Sequence, residues 1–144
     1  MALNLNQRYL KYFFEPFAES FEEGFWEAVK RRELVFQRCN QCGTWLHPPR
    51  PLCYKCKTTD LKWEKSSGKG RIYSWVTFTR EVNPLYSVPF EVVLVEMEDE
   101  EGVRILSNML DADHDELYID MPVEVDFIDV PPEFVLPIFK KRTS

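Results

Sequence analysis

The spacing of apolar residues changes twice along the chain, and the changes divide it into three parts. In the first, Phe21, Phe25, Trp26 and Val29 recur three to five residues apart, which lines one face of a helix running to about Arg32. Ser20 and Glu23 have the spacing of a capping box at its start. Lys30, Arg31 and Arg32 suit its end, where backbone carbonyls lack partners. Ahead of it, Tyr9, Tyr12, Phe13, Phe14 and Phe17 crowd an arm in which Pro16 ends or bends any helix.

From residue 34 to 62 the periodicity gives way to a turn-rich insert holding the cysteines. From residue 63 onward it becomes two-residue. Arg71–Thr79, Phe90–Glu98, Val103–Leu110, Val123–Val130 and Phe134–Phe139 are predicted strands. Val123, Val125 and Phe127 alternate with Glu124 and Asp126, as in a half-buried strand. Gly68 and Gly70 open the first strand, and Glu101-Gly102 turns the second into the third.

Five strands with little helix among them predict a small closed barrel. An OB-fold is the commonest five-stranded solution, and an SH3-like barrel fits the pattern nearly as well. The expected architecture is mainly β with N-terminal helices: a helical arm (1–33), a metal-binding ribbon (34–62) and a barrel (63–144).

Composition narrows the function. A length of 144 residues is that of one domain, or of a small module fused to a larger one. Aromatic residues make up 15% of the chain, which serves either a core or an exposed docking face. The arm aromatics Tyr12, Phe13, Phe14 and Phe17, with Phe25 and Trp26, are accordingly candidates for a partner interface. A net charge of −6 opposes nucleic-acid binding, which draws most of its affinity from Lys and Arg on phosphates. Glu96–Glu101 and Asp111–Glu116 would repel a phosphate backbone. No apolar run is long enough to span a membrane, and MALNLNQRYLKYFF lacks the plan of a signal peptide. A cytoplasmic location is expected, where thiols stay reduced and paired cysteine motifs favour a metal over disulfides.

The four cysteines form two CxxC pairs, Cys39–Cys42 and Cys53–Cys56, ten residues apart. Each pair presents two thiolates to one point, where a tetrahedral ion takes four sulfurs. Zinc is expected in preference to a single iron, and a redox-active pair is the alternative. Gly43 follows the first pair, where a knuckle often needs positive φ; Lys57 holds that place in the second. A shell of four thiolates leaves no open position, so the metal is expected to be structural. His47, between the pairs, reads as a loop residue.

Catalytic chemistry is not evident. His114 lies in the acidic stretch DADHDE and reads as solvated. Neither histidine belongs to a recognisable triad, no cysteine remains as a nucleophile, and there is no P-loop or GxGxxG. The run Glu98 to Glu101 reads as a charged turn.

The order of parts carries a resemblance. FWEAVKRRELVFQRCNQCGTWLHPPRPLCYKC is followed by GKGRIYSWVTFTR, a proline-containing loop, PFEVVLVEMEDEEGVRILSNM and MPVEVDF. Over residues 21–140 this resembles a bacterial and archaeal family of acyl-CoA-associated OB-fold proteins with a rubredoxin-like zinc ribbon, long labelled a domain of unknown function. The most specific pieces are Phe25-Trp26-Glu27-Ala28, Pro48-Pro49-Arg50 and Gly70 to Trp75.

The resemblance implies helices, a zinc ribbon and then an OB barrel. It also implies a non-catalytic subunit that stabilises a thiolase-superfamily aldolase, acyltransferase or synthase in a hetero-oligomer of two-plus-two or larger. The family's range includes steroid side-chain aldolases, a phloroglucinol acetyltransferase complex and archaeal acetoacetyl-CoA thiolase complexes. Some members help form the passage for a coenzyme A thioester, which makes Arg50 and Arg71 candidate contacts for CoA phosphates or for partner carboxylates. Tyr73 and Trp75, spaced to share a barrel face with Arg71, would wall such a channel or fill a core. Asp120 stands where the family often has Gly, a departure expected to alter one turn and not the fold. A single-strand nucleic-acid module and an acyltransferase component acting in a complex are the competing readings.

Overall fold

The computed structural model describes residues 20–81, 88–130 and 134–143. The arm aromatics Tyr12, Phe13, Phe14 and Phe17 lie outside the described residues.

The chain enters through a 3-10 turn (Ser20–Glu22) into one helix, α1 (Glu23–Lys30). Glu22, and not Ser20, is the N-cap, and it makes no side-chain capping bond. The 3-10 turn displaces the helix start by a turn, which puts Glu23 inside it. Gly24 is required by close approach, because a Cβ there would lie 2.1 Å from the Trp63 indole nitrogen. At the far end Arg32 takes φ +61. Its guanidinium donates to the Phe127 carbonyl at 2.9 Å and to Asp129 at 2.6 Å, tying the helix to the barrel.

The insert is more ordered than a turn-rich segment suggests. β1 (Val35–Cys39) is the centre of a three-stranded antiparallel sheet, flanked by β2 (Trp45–Leu46) and β3 (Leu61–Lys65). Thus β3 carries the ribbon sheet to Lys65, past residue 62.

The barrel comprises β4 (Lys69–Phe78), β5 (Phe90–Met97), β6 (Arg104–Ser107), β7 (Pro122–Val130) and β8 (Phe134–Lys141). Their order is β6-β5-β4-β7-β8, antiparallel throughout. A parallel bridge between Met109 and Phe139 brings the two edges together. A five-stranded Greek-key sheet in which the fourth strand pairs with the first, nearly closed by a parallel contact between the third-strand side and the fifth strand, is the OB topology, which decides against an SH3-like barrel.

Between Ile72 and Ser74 the β4–β5 register shifts by a bulge at Tyr73. A bulge moves every later side chain to the opposite face. Trp75 therefore packs on the core while Arg71 and Tyr73 are both exposed, which corrects the expectation that Trp75 shares their face.

One apolar cluster joins all three parts. Phe25 and Val29 of α1 and Leu34 and Phe36 of the ribbon meet Ile72, Val93, Val95, Val123 and Phe139 of the barrel.

Candidate metal centre and surrounding surfaces

The two knuckles are built alike. Gly43 donates its amide to the Cys39 carbonyl at 3.1 Å, and Lys57 donates to the Cys53 carbonyl at 2.9 Å. Cys39 and Cys53 in turn donate to the carbonyls of Thr44 and Thr58, both at 2.9 Å. Both turns need left-handed backbone, with φ +76 at Gly43 and φ +64 at Lys57. A side chain costs about 1 kcal/mol in that region. Lys57→Gly is therefore expected to raise the melting temperature by about 3 °C. Calorimetry of the metal-loaded protein checks this, and an unchanged transition would mean the loop stores no strain.

The knuckles bring the sulfurs of Cys39, Cys42, Cys53 and Cys56 within 4.8 Å of one another. Cys39 and Cys56 are 3.4 Å apart, and Cys42 and Cys53 are 3.6 Å apart. Disulfides would need about 2.05 Å, whereas sulfurs around a tetrahedral zinc stand about 3.8 Å apart. The residues fit zinc.

Electrostatics points the same way. Cys42 is drawn down to about 6, first by the Thr44 hydroxyl, then by the Thr44 amide. Cys56 is pushed up to about 12: the Thr58 amide pulls it down, but burial and the other three cysteines outweigh that pull. Four thiolates at one point need a cation among them. Zinc would supply that cation and fix the knuckles; Cys39 and Cys53 are fully buried beside Leu46.

Two residues near the centre escaped the sequence reading. Gln37 is buried in β1, and its side-chain amide clasps the backbone of Arg50, donating to the carbonyl at 2.9 Å and accepting from the amide at 2.8 Å. A glutamine between Phe36 and Arg38 gives no signal in sequence that it is buried.

His47 is not a loose loop residue. Its ring meets Phe36 edge-on at 5.1 Å and Phe25 at 5.9 Å, and burial draws its pKa down to about 4. The sign follows from linkage. Between about pH 6.5 and 4 the unfolded chain binds a proton that the folded chain refuses, so stability present above pH 6.5 is lost on acidification. From pH 7 to 5 the loss is expected to reach about 2 kcal/mol. In His47→Gln the unfolding free energy from urea titration should fall by that much less over the same interval, with metal-ligand protonation common to both proteins.

Other candidates separate. Arg71 is committed: it pairs with Glu98 at 3.2 Å and donates to the Asp120 carbonyl at 3.1 Å. Asp120 takes φ +66, so the turn survives without glycine, and its amide donates to Ile72. Arg50 is exposed, with its guanidinium over the Tyr54 ring at 5.2 Å.

Phe25 is buried in this chain's own core, against Trp26 and His47, and is not an exposed contact. Trp26 is half-buried against Phe134. The acidic run is not a simple charged turn either. Glu100 is 2% exposed with its pKa raised by that burial, and Glu98 pairs with both Arg71 and Arg142. His114 is exposed but held, 2.9 Å from Asp115 and 3.7 Å from Glu91.

An open groove of about 420 Å³ separates α1 and the 47–49 loop from the barrel, lined by Trp26, His47, Pro48, Leu106 and Pro137 among others. Exposed apolar side chains continue from it over the barrel at Leu106 and Val76. No helix among the described residues is long and apolar enough to cross a membrane.

Comparison with known proteins fits this geometry. A family model described as the ChsH2 rubredoxin-like zinc ribbon domain matches residues 26–62, and one described as the ChsH2 C-terminal OB-fold domain matches residues 63–127. A DUF35 domain-containing scaffold protein of Methanocaldococcus jannaschii is 34% identical over 105 residues, covering 71% of this chain and 73% of that protein. The chain belongs to the DUF35 family.

Among solved structures, this DUF35 chain matches a chain of the Ltp2-ChsH2(DUF35) aldolase with a TM-score of 0.81 and 35% identity, over 88% of its own length and 98% of the other. A probable enoyl-CoA hydratase alpha subunit of Thermomonospora curvata is 38% identical over 120 residues. That match takes in 83% of this chain but 37% of the relative, so the DUF35 chain spans little more than a third of that protein.

Proposed function

We propose that this protein is a non-catalytic accessory subunit that binds and stabilises a thiolase-superfamily acyl-CoA enzyme, an aldolase, acyltransferase or synthase, in a hetero-oligomer of two-plus-two or larger. The observation that carries the reading is the match along 98% of a chain from an aldolase assembly. The site adds support: the four thiolates saturate their metal and leave no open position for a substrate. The barrel's Arg71, Arg104 and Arg142 are paired with glutamates, which disfavours a nucleic-acid groove.

Zinc fixes the ribbon, and the shared core fixes α1 against the barrel. The docking face comprises the arm aromatics Tyr12, Phe13, Phe14 and Phe17 with Trp26, Val76 and Leu106. In the complex the groove beside His47 walls part of the partner's CoA-thioester passage, its apolar lining suiting an acyl or pantetheine arm.

Affinity purification of the tagged protein from its native host, with mass spectrometry of what accompanies it, tests the reading. A stoichiometric thiolase-like protein is expected. A clean monomer or co-purifying nucleic acid would overturn it.

A further inference from the structure

The outer end of the ribbon differs in charge from the rest of the protein. Residues 34–59 contain no Asp or Glu, yet carry Arg38, Arg50, Lys55 and Lys57 in a chain of net charge −6. Zinc with four thiolates carries a net charge of about −2, which these cations overbalance. Elsewhere cations are largely neutralised in place, as with Arg32 on Asp129, Arg71 on Glu98, Arg104 on Glu96 and Lys141 on Glu116. Arg38 likewise pairs with Glu64. Arg50, Lys55 and Lys57 have no carboxylate partner among the described residues.

They surround exposed apolar surface. Tyr54 is 46% exposed and Leu52 39%. The Arg50 guanidinium lies 5.2 Å from the Tyr54 ring centroid and the Lys55 ammonium 6.0 Å from it. The backbone beneath is fixed: Gln37 holds Arg50, and the second knuckle holds Cys53 to Lys57, where the Lys57 ammonium donates to the Tyr54 carbonyl at 2.8 Å. An exposed tyrosine beside an arginine on rigid backbone has the composition of an interface hot spot, and little ordering cost remains on binding.

We propose that this ribbon tip, Arg50 to Lys57, is a second docking face, which seats on a carboxylate-rimmed surface of the acyl-CoA enzyme subunit. The proposal rests on the accessory-subunit reading above. Charge complementarity selects an acidic partner surface. The interleaved Leu52 and Tyr54 select a protein over a polyanion, since bare phosphates would leave both in water.

The test uses the full-length protein and the enzyme subunit recovered with it, measuring affinity from 50 to 300 mM salt by biolayer interferometry. Arg50→Glu with Lys55→Glu is expected to weaken binding about 30-fold at low salt and to flatten the salt dependence. Tyr54→Ala should weaken it about tenfold with the salt slope kept. Zinc content and melting temperature, unchanged in each variant, separate lost docking from lost folding. Binding within twofold of the parent for both variants would overturn the proposal while leaving the subunit reading intact. Displacement of the enzyme from the tip by a single-stranded dT oligonucleotide would overturn it in favour of a nucleic-acid face. If the parent protein recovers no acyl-CoA enzyme, the subunit reading falls and this inference falls with it.

Discussion

Replacing Cys39 by Ser is expected to release the metal and unfold the ribbon, with less than one-tenth of an equivalent of zinc retained and the protein driven largely into inclusion bodies. Cys39 ends β1, is buried, and faces Cys56 across the site. A hydroxyl is a far poorer zinc ligand than a thiolate, and three sulfurs cannot complete the tetrahedron. Structural zinc contributes about 10 kcal/mol or more to folding in small metal domains. That is comparable with the whole stability of an ordinary domain, about 5–15 kcal/mol.

Because β1 also carries Phe36 into the common core, the damage should not stay in the ribbon. Cys42→Ser separates the two effects. Cys42 is exposed and lies outside β1, so its loss removes the metal without opening the core directly. Elemental analysis, near-ultraviolet circular dichroism and co-purification with the enzyme subunit check both variants. A metal-free protein that remained folded and associated would remove the structural role of the zinc.

The parts legible in the sequence were those where one physical rule acted alone. The barrel strand β7 packs Val123, Val125 and Phe127 on the core and sets Glu124 and Asp126 beside Lys140, so its alternation is visible. Both knuckles were legible because thiolates must converge on an ion. Illegible features are those where two demands meet in one residue. In β1, Val35, Phe36 and Gln37 are buried in succession, because the central ribbon strand is covered on both faces and loses its alternation. The Tyr73 bulge leaves no mark in composition, yet inverts the sidedness of all that follows in β4. Glu100 sits in a run of acids but turns inward to Ser66, a choice made by the tight turn before Val103 and invisible to charge counting. Phe25 offered itself as an interface aromatic because sequence shows an apolar face without showing what covers it; here the covers are His47 and Trp26.

The same shared core yields the second large effect. Phe36→Ala is expected to destabilise the entire chain by about 3–5 kcal/mol, the usual cost of emptying a phenylalanine site in a packed interior. Phe36 is fully buried, its ring meets His47, and its cluster includes α1 residues and barrel residues alike. If the ribbon were an independent module tethered to the barrel, this change would loosen the zinc and leave the barrel transition in place. The joined core predicts the opposite: one cooperative transition, lowered as a whole by about 10 °C or more, with zinc release and loss of barrel structure coincident. Thermal unfolding followed by a zinc-sensitive dye and by far-ultraviolet circular dichroism on the same sample distinguishes the two. Coincident curves for the parent and for Phe36→Ala mean that metal, helix and barrel form one rigid body. The accessory role proposed above depends on that cooperativity, because a hinge between ribbon and barrel would let the two proposed docking faces bind without fixing the angle between them.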